Sequence, residues 1–227
     1  MLVENWMNRN LVTVDAEDSM LDAMKILKEK NIRRLPVLRK GKLVGIVTDR
    51  DLKKASPSEA TTLEAHELLY LTAKITVKEI MTPNPVTVPF NYTVEEAAAI
   101  LLDRKISGLP VVDKDGNVVG TITQTDIFRV LISVTGFGKE AIQFAFSLED
   151  RPGSIKEVAD IIRKYKGRMA SILSSFEGAP EGFRTVYIRA FDLDRERLSD
   201  LKKELKAAAK LLYVIDHKEN KREIFVG

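Results

Sequence analysis

The stretch GIVTDRDL (residues 45–52) returns further along the chain as GTITQTDI (residues 120–127), with glycine, threonine and aspartate at the same places. In both, a β-branched apolar run meets Thr-x-x-Asp, which reads as a strand running into the start signal of a helix. The same residues suit a second task. A helix start offers free N–H groups and a positive dipole end to phosphate, while an acceptor-only carboxylate can take hydrogen bonds from both hydroxyls of a sugar.

Working outward, Met7 laid on Met81 sets a repeat with an offset of 74 residues. NLVTV (10–14) then falls on NPVTV (84–88), NIRRLPVL (31–38) on KISGLPVV (105–112) and, after one inserted residue, LVGIVTDRDL (43–52) on VVGTITQTDI (118–127). Each copy is one folding unit. Ser19 with Asp22, and Thr93 with Glu96, are capping signals. Each opens a segment whose apolar residues recur at helical spacing: Met20, Ala23, Met24 and Leu27, then Val94, Ala97, Ala98 and Leu101. Two short runs follow, 35–38 and 43–47 in the first copy and 109–112 and 118–123 in the second, separated by RKGK and DKDGN. The pattern predicts a helix, a hairpin and a second helix in each copy. Units of about 50 residues are small for separate stability and are expected to bury their sheets against one another.

Paired units carrying hxxLPV and Ghhxx(T/S)xx(D/N), with h apolar, resemble the tandem CBS domain, or Bateman module. The resemblance implies a pseudo-twofold α/β pair with two clefts, each able to take an adenine nucleotide such as AMP, ADP or ATP. It makes Asp51 and Asp126 the ribose ligands, with Thr48 and Thr123 before them. Val12, Thr13, Val86 and Thr87 match the first strand, whose backbone reads the adenine edge. Ile32, Leu35, Pro36, Ile106, Leu109 and Pro110 match the apolar walls, and core packing accounts for them equally well. Charge separates the copies: Arg33, Arg34 and Arg50 align with Ser107, Gly108 and Thr125. Guanidinium groups suit phosphate, so the two sites are expected to be unequal. Either cleft can receive these arginines.

Residues 1–56 and 80–135 thus form the pair, joined by a linker at 57–79 with a helix predicted over 63–73. After it, TGFGKEA (135–141) contains G-x-G-x-x-A, but a helical pattern precedes it and a strand pattern follows, the reverse of a dinucleotide fingerprint. Residues 136–140 read as a linker. In AIQFAFSL (141–148), Ile142, Phe144, Phe146 and Leu148 share one strand face. Next come a loop and helix in DRPGSIKEVADIIRKYKG, strands in RMASILSSF and FRTVYIRAF, a helix with Leu198, Leu201 and Leu205, and the strand LLYVID. That order, βαββαβ over 141–227, is ferredoxin-like. With DRPGSI at its first loop it resembles an ACT domain, a small-molecule-sensing and dimerising module. Asp150, Arg151, Pro152, Gly153 and Ser154 match its effector loop, where an amino acid or other small effector would bind. The bland reading makes Pro-Gly a turn and Ser154 a helix cap.

A CBS pair followed by an ACT unit is similar to the acetoin-utilisation AcuB family. That implies a non-catalytic homodimeric regulator of acetoin or related carbon metabolism. A dimerising scaffold with empty clefts, or a regulatory partner of a nucleotide-metabolising enzyme, stays open beside it. Composition narrows the field. There is no cysteine and only two histidines, His66 and His217, so no Cys-based site or His cluster is available. The 36 basic and 33 acidic residues are interleaved, which argues against nucleic acid. The longest apolar run, 97–102, is far short of the ~20 residues of a membrane span. A cytoplasmic protein with no required cofactor, binding an unidentified target protein, is the expectation.

Overall fold

Each repeated helix starts where a capping pair stands in the sequence. The computed structural model describes residues 1–56, 73–138 and 140–225. The first copy contains β1 (Val14–Asp15), α1 (Met20–Glu29), β2 (Arg34–Arg39), β3 (Lys42–Thr48) and α2 (Asp49–Ala55). The second contains α3 (Val77–Ile80), β4 (Thr82–Pro83), β5 (Val88–Pro89), α4 (Val94–Asp103), β6 (Gly108–Val112), β7 (Val118–Thr123) and α5 (Gln124–Val134). Ser19 accepts the Asp22 N–H at 3.1 Å ahead of α1, and Thr93 accepts the Glu96 N–H at 3.2 Å ahead of α4. Along α1 the buried stripe is Met20, Ala23 and Leu27, narrower than the pattern suggested. Met24, one residue beyond Ala23 and so about 100° round the helix, is exposed. The helix predicted over 63–73 lies, except for its last residue, outside the described residues.

The copies are tied by a reciprocal exchange of their leading segments. β4, at the front of the second copy, pairs antiparallel with β3 of the first, Gly45 opposite Pro83 and Ile46 opposite Thr82. Asn8, at the front of the first copy, makes the matching bridge to Thr121 on β7. The backbone bonds repeat at the same offset. Val77 and Lys78 donate to Asp18 and Ala16 at 2.9 and 3.0 Å, while Val3 and Glu4 donate to Tyr92 and Phe90 at 2.8 and 3.0 Å. Each sheet therefore has an edge covered by the other copy's chain, which removes an exposed ladder from both.

The C-terminal segment folds as β8 (Ile142–Glu149), α6 (Ser154–Lys164), β9 (Arg168–Ser175), β10 (Phe183–Phe191), α7 (Leu198–Ala208), β11 (Lys210–Asp216) and β12 (Lys221–Ile224). Its antiparallel sheet has the order β12-β11-β8-β10-β9. The alternation in β8 puts Ile142, Phe144, Phe146 and Leu148 into the core with Val158 and Ile162 of α6 and Leu201 and Leu205 of α7. Full burial of each phenylalanine contributes roughly 1.5–3 kcal/mol. β12, which pairs Tyr213 with Ile224, escaped the sequence reading because its exposed, charged KREI carries little apolar signal.

Two compact units result, Met1–Phe128 and Arg129–Gly227. The division falls within α5, so the later part of that helix belongs to the second unit. At 135–138 the glycine-rich stretch forms a turn, Gly136 and Gly138 having φ of 65° and 94°. Gly153, not Ser154, caps α6, with φ 90° and ψ −16°. A Cβ there would meet no neighbour but would have to adopt the left-handed region. Gly153→Ala is expected to cost about 1–2 kcal/mol, read as a lower denaturation midpoint with an unchanged slope.

Candidate functional site

Both copies build the same junction where the second hairpin strand enters a helix. Asp51 Oδ2 accepts the Thr48 N–H at 2.9 Å and the Thr48 hydroxyl at 2.6 Å, while Thr48 Oγ1 accepts the Asp51 N–H at 3.3 Å. In the second copy Asp126 Oδ2 accepts from Thr123 at the same 2.9 and 2.6 Å, and the return bond is 3.4 Å. The capping half of the opening ambiguity is thus realised twice. It occupies one carboxylate oxygen of Asp51: among the described residues Oδ1 accepts no hydrogen bond, and the side chain is half-buried at the surface. Asp126 is more deeply set, 7% exposed.

The junctions are held against the start of the preceding strand. Asp49 N–H donates to Arg33 O at 3.0 Å, and Gln124 N–H donates to Ser107 O at 3.1 Å. That brings residues 32–34 beside 48–51, and 106–108 beside 123–126. Arg33 and Arg50 lie exposed on the surface. Arg34 does not. Its Nη2 donates to Ser107 Oγ at 2.6 Å, across the pair. Gly108 makes the room, since a Cβ there would stand 2.4 Å from Arg34 Nη1. The charge missing from the second copy's sequence is thus delivered by the first. Burial pulls the Arg34 pKa below its usual value; Asp49 opposes that shift, Arg33 adds to it and Asp126 opposes it.

Other predicted site residues settle differently. Leu35 and Leu109 have no exposed surface, and Leu35 packs in the core with Met20, Ala23 and Val37. Residues two apart on a strand face the same way, so a side chain sharing Val37's direction belongs to the core. Ile32 and Ile106 are half-buried, and Pro36 and Pro110 are buried. Val12, Thr13, Val86 and Thr87 precede the strands instead of forming them. β1 pairs Val14 with Val37 and β5 pairs Val88 with Val111, so the next positions back in register face Pro36 and Pro110. Proline has no N–H to give a ladder.

In the C-terminal loop, Asp150 pairs with Arg184 at 2.6 Å, and Arg151 is bidentate to Glu157, each contact 2.8 Å, besides meeting Glu149 at 3.0 Å. These bonds hold Arg151 well above the usual guanidinium range. Pro152 and Gly153 are exposed, and Ser154 is 4% exposed with its Oγ unpartnered among the described residues. Ser154 stands inside the helix and so caps nothing.

Two copies of one α/β unit that trade leading segments and present matched strand-to-helix junctions define a tandem CBS pair, or Bateman module. The CBS domain family model matches residues 3–58 and 77–133, and the chain belongs to the CBS-domain family. A CBS domain-containing protein of Dictyostelium discoideum is 37% identical over 134 residues, which are 59% of this chain and 92% of that protein. An inosine-5'-monophosphate dehydrogenase of Korarchaeum cryptofilum is 37% identical over 125 residues, 55% of this chain but only 23% of the enzyme. CBSX2 of Arabidopsis thaliana, solved in complex with AMP, is 35% identical with a TM-score of 0.48, covering 58% of this chain and 96% of that one. Residues after 133 lie outside the family match. Among the described residues no helix is long and apolar enough to cross a membrane, and no three His, Cys, Asp or Glu are grouped as metal ligands.

Proposed function

We propose that the pair is a regulatory sensor of adenine nucleotides, binding AMP, ADP or ATP at the two Thr-x-x-Asp junctions. The observation that carries this reading is the division of labour at Asp51, where Oδ2 serves the helix and Oδ1 is left to accept from a ribose. Arg34, held by Ser107 beside the second junction, supplies a phosphate-binding cation to a copy that has none of its own there. Ile32, Ile106, Pro36 and Pro110 give the base apolar contact, with the backbone of residues 12–13 and 86–87 at its edge. Arg34→Ala is expected to weaken binding of ATP about tenfold at one site, the loss of one charge-assisted contact. Calorimetric titration of the full chain with AMP, ADP, ATP and S-adenosylmethionine tests the reading. Heat from none of the four would leave the clefts of a scaffold.

In the same proposal the C-terminal unit is an ACT domain that takes a small effector at Asp150–Ser154. Its support is the βαββαβ order and the Ser154 hydroxyl at the first position of α6, unpartnered among the described residues. Nucleotide and effector would be coupled by about 1–3 kcal/mol, reciprocally. The chain acts as a cytoplasmic homodimer in acetoin or related carbon metabolism, an assignment carried by the AcuB resemblance. Leu131 and Ile132, exposed on the later part of α5, favour an association surface. Light scattering is expected to give a dimer at micromolar concentration; a monomer contradicts that part.

A further inference from the structure

The face of the C-terminal sheet opposite its core carries a buried cation whose hydrogen bonds are incomplete. Register places Arg189 of β10 between Gln143 of β8 and Ser171 of β9. Arg189 is 8% exposed, yet among the described residues only one of its nitrogens is used: Nη2 donates to Gln143 Oε1 at 2.5 Å. Nε and Nη1 have no partner among the described residues. Buried guanidinium N–H groups are rarely left so, because each forfeits its hydration without return. The Phe137 ring lies 5.4 Å from the guanidinium carbon. It satisfies a face of the cation and leaves the in-plane N–H groups unanswered.

These groups border a cavity of about 210 Å³ lined by Thr135, Gln143, Ser171, Leu173, Tyr187 and Arg189. That is below the 300–1,000 Å³ of pockets for drug-sized ligands, so its occupant is small. None of the six lining residues is acidic, and the titratable side chains that couple to Arg189 electrostatically are Tyr213 and His217, neither of them a carboxylate. Ser171 has spent its proton on Thr135 O at 2.8 Å, and Gln143 donates its amide to the Tyr213 hydroxyl at 3.2 Å. Tyr187 lines the same cavity and couples electrostatically to Tyr213. Unmet donors, one positive charge and the apolar surfaces of Leu173 and Tyr187 call for an anion with a short apolar body. A ligand ammonium would find no counter-charge among the lining residues.

We infer that the cavity over Arg189 is a binding site for a small monocarboxylate lacking an amino group, its carboxylate on the Arg189 guanidinium and its tail against Leu173. The site belongs to the C-terminal unit alone, lies away from the Asp150–Ser154 loop in sequence, and does not depend on the nucleotide reading.

The test titrates the full chain with propanoate, 2-hydroxypropanoate, 2-aminopropanoate and inorganic phosphate at fixed ionic strength, following amide NMR shifts and melting temperature. Propanoate or 2-hydroxypropanoate is expected to saturate and raise the melting temperature, with 2-aminopropanoate and phosphate at least tenfold weaker. Arg189→Gln should abolish saturation. Leu173→Trp fills the cavity from an edge-strand position that is 36% exposed and leaves Arg189 in place, so it must abolish saturation too, even if Arg189→Gln does not fold. Saturation by neither carboxylate, equal binding of phosphate or 2-aminopropanoate, or undiminished binding in a folded Leu173→Trp or Arg189→Gln variant overturns the inference.

Discussion

Asp51→Ala is expected to weaken nucleotide binding at one site by roughly 10- to 150-fold, the equivalent of the ~1.5–3 kcal/mol carried by hydrogen bonds to a charged acceptor. The same substitution removes a helix cap, which costs only about 1 kcal/mol of stability. The two losses fall on different oxygens, since Oδ2 holds Thr48 and Oδ1 accepts no bond among the described residues. Asp51→Asn sharpens the distinction by retaining an oxygen for the cap while removing the charge. Asp126→Ala should weaken the other site comparably but cost more stability, because Asp126 is nearly buried and its charge offsets the desolvation of Arg34. Calorimetry and thermal melts on the same variants separate the effects. A lower melting temperature with unchanged nucleotide affinity would show that these carboxylates serve only as caps.

Gly120→Ala is expected to destabilise the first unit by about 1–3 kcal/mol, as overpacking does when backbone has to move. A Cβ at Gly120 would stand 2.7 Å from Asn8 O and 2.9 Å from Met7 Sδ. Asn8 is fixed there by reciprocal bonds with Thr121, of 2.8 and 3.1 Å, so the clash falls on the strand exchange itself. Gly45→Ala is the control. There the closest atoms belong to the flexible Met81 side chain, and the backbone oxygen of Thr82 is 3.1 Å away. Its cost should therefore be smaller. Denaturant unfolding of both variants provides the measurement, and a Gly120→Ala protein as stable as the parent would mean that the exchanged segment is loosely held.

Much of the architecture is local and therefore legible. Ser19 with Asp22, Thr48 with Asp51, Thr93 with Glu96 and Thr123 with Asp126 each bond three residues apart, so the spacing of residue types announces the helix starts. The alternation of Ile142, Phe144, Phe146 and Leu148 likewise states which side of β8 is core. The 74-residue echo marks two copies of one folding unit, because each copy repeats the whole set of local signals, and the motifs those copies carry are what resemble the CBS pair.

What depends on groups distant in sequence was decided only in three dimensions. Nothing near Arg34 announces Ser107, 73 positions away, and Gly108 reads as missing charge until it is seen making space for that arginine. The leading segments trade sheets because an exposed ladder edge gains partners from whichever chain folds beside it, a choice absent from either segment's own pattern. Arg189, similarly, is an unremarked charge in an alternating strand. Only the sheet register surrounds it with Gln143, Ser171 and a cavity, leaving donors that ask for a ligand. Periodicity and caps act within a few residues and so are written in the sequence. Burial, shared edges and unmet hydrogen bonds are properties of neighbours, which the tertiary structure alone assigns.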